Sequence, residues 1–418
     1  MVTPLMSTFR SPRLVLTRPC ALSSARRSLA QWVALLLGGL AVAGCDGAAP
    51  LCSAADVSVS LPTSDALYWW AGDEAPRPTY VVTRTGDTAC RLEASTDTAG
   101  VTATYDDAAG ELQVELSPRT PAGLHHVQVS LAGADVSAEL TLTLRHLPEP
   151  PRDASRHVVV LGVDGLRPDA IAPARTPTLD MLFAHGVGTF AAQTQLTGDT
   201  VSGPGWASIL TGTEVERHGV TSNETAVMEG ISRAVPTLLG SAFDAGLDTG
   251  LIVHWLQLPL LVESGPAAGF RFGDDPIVAS TAVRYLTQPR DLLFLHFDDC
   301  DHAGHATGYG PENPDYIAAV EGVDANVATV IDGVLARPTY AEEAWMFVLV
   351  TDHGGEGTGH GARNPINRTI PLLFVRPGVT PATLDAASHM DVTPTVLRYL
   401  GIESSASYDG RVVTEALP

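Results

Sequence analysis

Residues 157–165 read "HVVVLGVDG", a run with no polar side chain from Val158 to Val163 that stops on Asp164 and Gly165. A strand with one wet face alternates apolar and polar residues. This run does not alternate, so both of its faces must be covered. The same texture recurs in "GLIVHWL" (250–256), "DLLFLHFDDC" (291–300), "WMFVLVTDHGG" (345–355) and "IPLLFVRPG" (370–378). Helix-like stretches lie between them: "TPTLDMLFAHG", "VPTLLGSAFDAG", "PDYIAAVEGVDANVATVIDGVLARP" and "DVTPTVLRYLG". Doubly apolar strands alternating with helices predict an α/β domain over residues 157–418, a mostly parallel sheet with helices on both faces. Such sheets bind ligands beyond the carboxyl ends of their strands, which is where acids and histidines follow these runs.

Upstream the pattern changes. From 54 to 147 short segments rich in Val, Thr and Leu alternate, such as "ADVSVSL", "TYVVTRT", "ELQVEL" and "AELTLTLRH", punctuated by Gly, Asp and Pro. They predict a small antiparallel β-sandwich of the immunoglobulin-like size class over 45–147. "LPEPPRDASR" (147–156) reads as a Pro-rich polar linker, with 148–156 joining the two domains. Residues 1–44 carry five Arg and no acid, and Arg26 and Arg27 precede an uncharged run from Ser28 to Gly44. That run is short for a membrane span and reads as an export signal. Its end, "AVAGC", resembles a bacterial lipoprotein cleavage box, which would make Cys45 the lipid-bearing first residue of a periplasmic or cell-surface protein of a Gram-negative bacterium. In an oxidising compartment Cys52 and Cys90 are a plausible disulfide, against the alternative of two buried thiols, which leaves Cys300 as a small buried residue.

The chain carries 25 Arg and no Lys against 47 acids, a net charge of −22. No basic stripe is available to displace phosphate counterions, so a large nucleic-acid surface is not expected.

The chemistry collects at the strand ends. Asp164 follows the first run; Asp298, Asp299 and Asp301 follow "LLFLHF"; Asp352 and His353 follow "FVLVT". "DHAGH" sets Asp301 and His305 four apart, on one side of a helical turn, and "GTGHG" leaves His360 between glycines. Carboxylates and imidazoles without thiolate suit zinc, or manganese or magnesium. Six such groups are too many for one tetrahedral ion and sufficient for two with open positions.

The order "GVDG", "SGPGWASILTG", "ERHGVTSN", "DHAGH", "TDHGG", "GHG", "IPLLFVRPG" and "HMDVTPTVLRYLGI" resembles the alkaline phosphatase superfamily, and within it the nucleotide pyrophosphatase/phosphodiesterase branch, over roughly residues 157–410. The resemblance implies two divalent metal ions of the zinc type, one held by Asp164, Asp352 and His353 together with the nucleophile, the other by Asp301, His305 and His360. It implies the nucleophile too. Members place it ten residues before the Gly of a "TG" ending, commonly two before a Pro, which in "TGDTVSGPGWASILTG" (197–212) is Ser202 rather than Thr200, Ser208 or Thr211. Asn223 matches the branch's donor to a phosphoryl oxygen, against the alternative of capping the helix at "ETAVMEG". The expected activity is hydrolysis of small phosphate esters, diesters before monoesters, through a phosphoserine. Sulfatases of the superfamily carry an Arg where this chain has Trp206, which makes a sulfatase the lesser alternative, beside a non-catalytic surface-binding lipoprotein. His218 reads as structural, and His254, His296, His302 and His389 as core or supporting groups. Arg167, Arg217 and Arg363 remain the cations able to reach a substrate. Trp255, Phe270 and Phe272 are free to stack on it or to pack in the core.

Overall fold

A computed structural model describes residues 49–418 except 56, 87–89, 268–269 and 404–406; the export signal and Cys45 lie outside the described residues. The strand predicted from "HVVVLGVDG" spans Ser155–Val163, beginning two residues inside the expected linker, and occupies the middle of an eight-stranded sheet. It pairs in parallel with Leu292–Phe297 on one side and Glu343–Val350 on the other. Beyond the first lie Thr249–Val253 and then the short Arg271–Phe272, again parallel. Beyond the second comes Thr369–Val375, antiparallel, followed by Val187–Gln193 and Ala382–Thr383, which return to the common direction. The sheet is therefore mostly parallel, as expected.

The absence of alternation in the central strand has the expected cause. Val159, Leu161 and Val163 enter one core with Leu179 and Leu182 of the helix Pro177–His185, Val278 and Ala282 of Asp275–Leu286, and the buried side of Pro314–Leu335. Val158 and Val160 enter the opposite core with Trp206 and Ile209 of Ser202–Thr211, Leu238 of Leu238–Asp244, and Val396 of Val392–Tyr399. Successive side chains thus go to opposite layers of helices, and each layer buries its own apolar set.

The N-terminal region is all-β, with a four-stranded and a three-stranded sheet around Leu112, Val114, Val127, Val129, Leu140 and Leu142. It is not wholly antiparallel. Ser64–Trp70, a segment without strict alternation, pairs in parallel with Ser137–Leu147 along seven residues. "TYVVTRT" divides between two sheets, Thr79–Val81 in one and Thr83–Gly86 in another. Cys52 and Cys90 form a disulfide, and Cys300 is a buried free thiol. The two regions form one compact unit. Trp70 and Leu147 share a core with Leu335 and Tyr340, and Arg145 grips Asp332 on the long helix with two parallel hydrogen bonds, one of 2.8 Å. Among the described residues no helix is long and apolar enough to cross a membrane.

Candidate active site

All eight residues singled out from the sequence come to the carboxyl-end side of the central strands. Ser202 is the first residue of the helix Ser202–Thr211, after an extended Val201 whose side chain gives no cap. Glycines beside it allow the close approaches that seat it. A Cβ on Gly203 would lie 2.6 Å from the Ser222 carbonyl oxygen, and one on Gly205 would lie 2.8 Å from the Asp352 Cβ. The rival hydroxyls are committed elsewhere. Thr200 Oγ1 donates to the Ala362 carbonyl, Ser208 Oγ meets His218 Nε2 at 3.0 Å, and Thr211 Oγ1 donates to the Ala207 carbonyl.

Ser202 Oγ lies 3.4 Å from His353 Nε2. That nitrogen is also 3.2 Å from Asp352 Oδ2 and 3.4 Å from Asp164 Oδ1. His353 Nδ1 sits 2.9 Å from the Gly354 carbonyl, which only accepts, so Nδ1 carries a proton and Nε2 is the nitrogen turned to the carboxylates. Asp164 Oδ1 and Asp352 Oδ2 are buried and have no hydrogen-bond partner. Asp164 Oδ1, Asp352 Oδ2 and His353 Nε2 thus converge beside the Ser202 hydroxyl, and the two partnerless carboxylate oxygens suit a cation.

A second cluster repeats the device. His360 Nδ1 donates to the Thr200 carbonyl at 2.9 Å and His305 Nδ1 to the Thr358 carbonyl at 3.0 Å. Their Nε2 atoms meet at 3.1 Å, and His305 Nε2 is 3.3 Å from Asp301 Oδ2. His353 and His360 stack with ring centroids 3.8 Å apart, which joins the two clusters. Burial, with His353 beside it, brings His360 down to about 4, so its ring is neutral at neutral pH. Burial first, then the neighbouring carboxylates, push Asp164 and Asp352 well above the ordinary carboxylate range.

The supporting contacts of Trp206 and Tyr309 were not foreseen, whereas His296 takes the supporting place expected of it. Trp206 Nε1 donates to Asp164 Oδ2 at 2.9 Å, and His296 Nε2 meets the same oxygen at 3.1 Å. Tyr309 donates its hydroxyl to Asp301 Oδ1. The spacing held a signal for the first, since Trp206 stands four residues after Ser202 and so on the same side of its helix. A histidine inside the apolar strand "LLFLHF" was a second signal. Asn223 does not cap the following helix, Thr225–Glu229, whose cap residue is Glu224. Its Oδ1 instead accepts from Gly203 N at 2.6 Å, beside Ser202, leaving Nδ2 as the donor. The three arginines are engaged: Arg167 with Asp169, Arg217 with Asp409 and Arg363 with Asp199. His218 accepts from Val220 N and His389 from Gln195 N, both structural roles. Trp255 and Phe270 are partly buried, whereas Phe272 is exposed.

Residues 158–230 match the type I phosphodiesterase / nucleotide pyrophosphatase family and residues 274–404 the metalloenzyme superfamily. A 2,3-bisphosphoglycerate-independent phosphoglycerate mutase of Syntrophotalea carbinolica is 32% identical over 148 residues, 34% of this chain and 26% of that protein. GPI ethanolamine phosphate transferase 1 of Saccharomyces cerevisiae is 33% identical over 95 residues, 22% of this chain and 10% of that protein. The chain thus spans about a quarter or less of the length of these relatives. Among solved structures, murine ectonucleotide pyrophosphatase/phosphodiesterase 5 in complex with AMP superposes with a TM-score of 0.52 at 14% identity, covering 61% of this chain and 97% of that one. A 2-O GAG sulfatase gives 0.51 at 16% identity, covering 63% and 74%. At these identities the structural likeness speaks for the fold.

Proposed function

Because the chain belongs to the alkaline phosphatase superfamily, we propose that it hydrolyses phosphate esters, diesters before monoesters, with Ser202 as the nucleophile. The observation that carries this reading is the shared orientation of His353, His360 and His305: each spends Nδ1–H on a backbone carbonyl and turns Nε2 toward carboxylate oxygens. The residues fit two divalent ions of the zinc type, one at Asp164, Ser202, Asp352 and His353, the other at Asp301, His305 and His360. When bound, such ions supply positive charge that favours an ionised Ser202 and offsets charge on the phosphoryl oxygens.

The chain's own residues do the rest. Ser202 Oγ attacks phosphorus in line, the P–O bond to the leaving group breaks, and the alcohol departs with a proton. The product is a phosphoserine, still esterified to the retained alcohol when the substrate is a diester. Water then attacks the same phosphorus and restores the Ser202 hydroxyl. Asn223 Nδ2 donates to an equatorial oxygen, held in place by its own bond to Gly203. Tyr309 and Trp206 hold Asp301 and Asp164 in orientation.

Two features favour diesters over the alternatives. The three candidate arginines are paired with carboxylates, so none of them is offered to the second negative charge of a monoester. Trp206, where sulfatases carry Arg, is fully buried with its N–H on Asp164. A panel of chromogenic diester, monoester and sulfate substrates, assayed with zinc, tests the assignment. The diester is expected to turn over fastest; sulfate as best substrate, or no turnover of any phosphate ester, contradicts it.

We also infer from the first 45 residues that the protein is exported and tethered by lipid at Cys45, with small phosphate esters as its ligands. Native protein is then expected in the membrane fraction, and a Cys45→Ala variant outside it; equal partition of the two rejects the anchor.

A further inference from the structure

Beside the two clusters lies a third group of metal-type donors that uses none of their residues. We propose that His254, Asp299 and His302 form a separate site for a divalent cation of the imidazole-preferring, zinc-like class. His254 follows the strand Thr249–Val253, while Asp299 and His302 lie in the first turn of the helix Asp299–Thr307. One donor atom from each of the three lies within 4.8 Å of the others.

The site is built from beneath by Asp275. This carboxylate is fully buried, a costly position for a charge unless it is fully bonded. It meets His254 Nδ1 at 2.8 Å and accepts from the backbone N–H of Asp298 at 2.8 Å and of Asp299 at 3.1 Å. One buried group therefore fixes the imidazole and the start of the helix that brings the other two donors. Asp275 holds His254 Nδ1, which lies 3.7 Å from Asp299 Oδ1, and leaves Nε2 as the nitrogen free to take a ligand, the carboxylate–histidine arrangement that raises ligand basicity at metal centres. It is the same logic that turns His353 and His360 by backbone carbonyls. His302 Nε2 is 3.3 Å from Asp298 Oδ2, which leaves its Nδ1 for a ligand. The His254 and His302 rings stand edge to face with centroids 4.8 Å apart.

Two imidazoles and one carboxylate are a zinc-type set with a fourth position left for water or an anion. The partners are graded in exposure, with the His254, Asp299 and His302 side chains at 17%, 42% and 60%, so an ion enters from solvent and binds more weakly than at the buried clusters. Asp298 is the link between the centres. It faces His302 on one side and shares a tight group with Asp164 and His296 on the other.

The test is a metal count, independent of turnover. Purified full chain is equilibrated with zinc at pH 8, and bound metal is measured per protein for the parent, His302→Ala, Asp299→Asn and His360→Ala. The His302 side chain is mostly exposed, so its loss leaves the fold intact, checked by circular dichroism. His302→Ala and Asp299→Asn are each expected to bind one equivalent less than the parent. His360→Ala, altered in the other centre, is expected to lose a further equivalent when His302→Ala is added. Equal counts in the parent, His302→Ala and Asp299→Asn overturn the proposal. The difference between variants tests this site, whereas the parent's total tests the two-ion reading above, so one can fail without the other.

Discussion

Ser202→Ala is expected to reduce turnover of the best phosphodiester by roughly 10^4-fold or more, with no change in stability beyond about 1 kcal/mol. The size follows from the chemistry. Without the hydroxyl there is no oxygen to form the phosphoserine, and only direct attack by water on a positioned substrate remains. The small effect on stability follows from the surroundings: the hydroxyl's contact is His353 Nε2 at 3.4 Å, a long and weak one, while the helix it begins is held by Trp206, Ile209 and Leu210 in the core. Circular dichroism and a melting curve beside the assay separate loss of chemistry from loss of fold. Activity within tenfold of the parent would mean that another hydroxyl, or water, is the attacking group.

The second large effect is expected from Asp352→Asn. The substitution keeps the size but replaces one of the two partnerless buried carboxylate oxygens of the site, Asp352 Oδ2, by a group without charge. Several kcal/mol of charge stabilisation in the transition state are at stake, on the order of 10^3-fold in rate. Chelation should act on stability as well, with a pH dependence of definite sign. Burial first, then Asp352 and Asp301 beside Asp164 and Asp301 beside Asp352, raise those two carboxyls, and burial with Asp164 nearby raises Asp298 to about 7. A carboxyl raised in the fold keeps a proton that the unfolded chain has already released, so the metal-free fold loses stability as pH rises from about 4 through 7. Cations reverse this, because they bind the ionised form. The gap in melting temperature between zinc-loaded and chelated protein should therefore widen from pH 5 to pH 8. With zinc at about a thousand times Kd the shift amounts to about 4 kcal/mol per site, about 5 °C for a folded unit of this size. A gap that narrows with rising pH, or unchanged turnover of Asp352→Asn, contradicts this role.

Much of the catalytic region was legible because its two signals are local. An apolar run with no alternation marks a strand covered on both faces, and Asp164, Asp301 and Asp352 follow such runs directly or within a turn. The pairing direction of Ser64–Trp70 was not legible, since strand propensity reports a half-buried pleated surface and carries nothing about its neighbour. Gly203 and Gly205, poor helix formers by propensity, stand in the helix at Ser202 because Ser222 and Asp352 approach them closely, a contact that local sequence does not carry. The contacts of Trp206, Tyr309 and Asp275 depend on elements remote in sequence that meet only in the fold. Asn223 was read as a donor in the site with a helix cap as the lesser alternative; the position of the next helix, whose cap is Glu224, removes the cap.

The central claim, that two carboxylate–histidine clusters make Ser202 the attacking oxygen, is tested most directly by the covalent intermediate. Zinc-loaded protein is mixed with a phosphodiester, quenched in acid during turnover and digested, and the peptide containing Ser202 is weighed. That peptide is expected to carry the phosphoryl group with its retained alcohol, and the Ser202→Ala peptide to carry none. An adduct on Thr200 or Ser208, or an adduct that persists in Ser202→Ala, would contradict it.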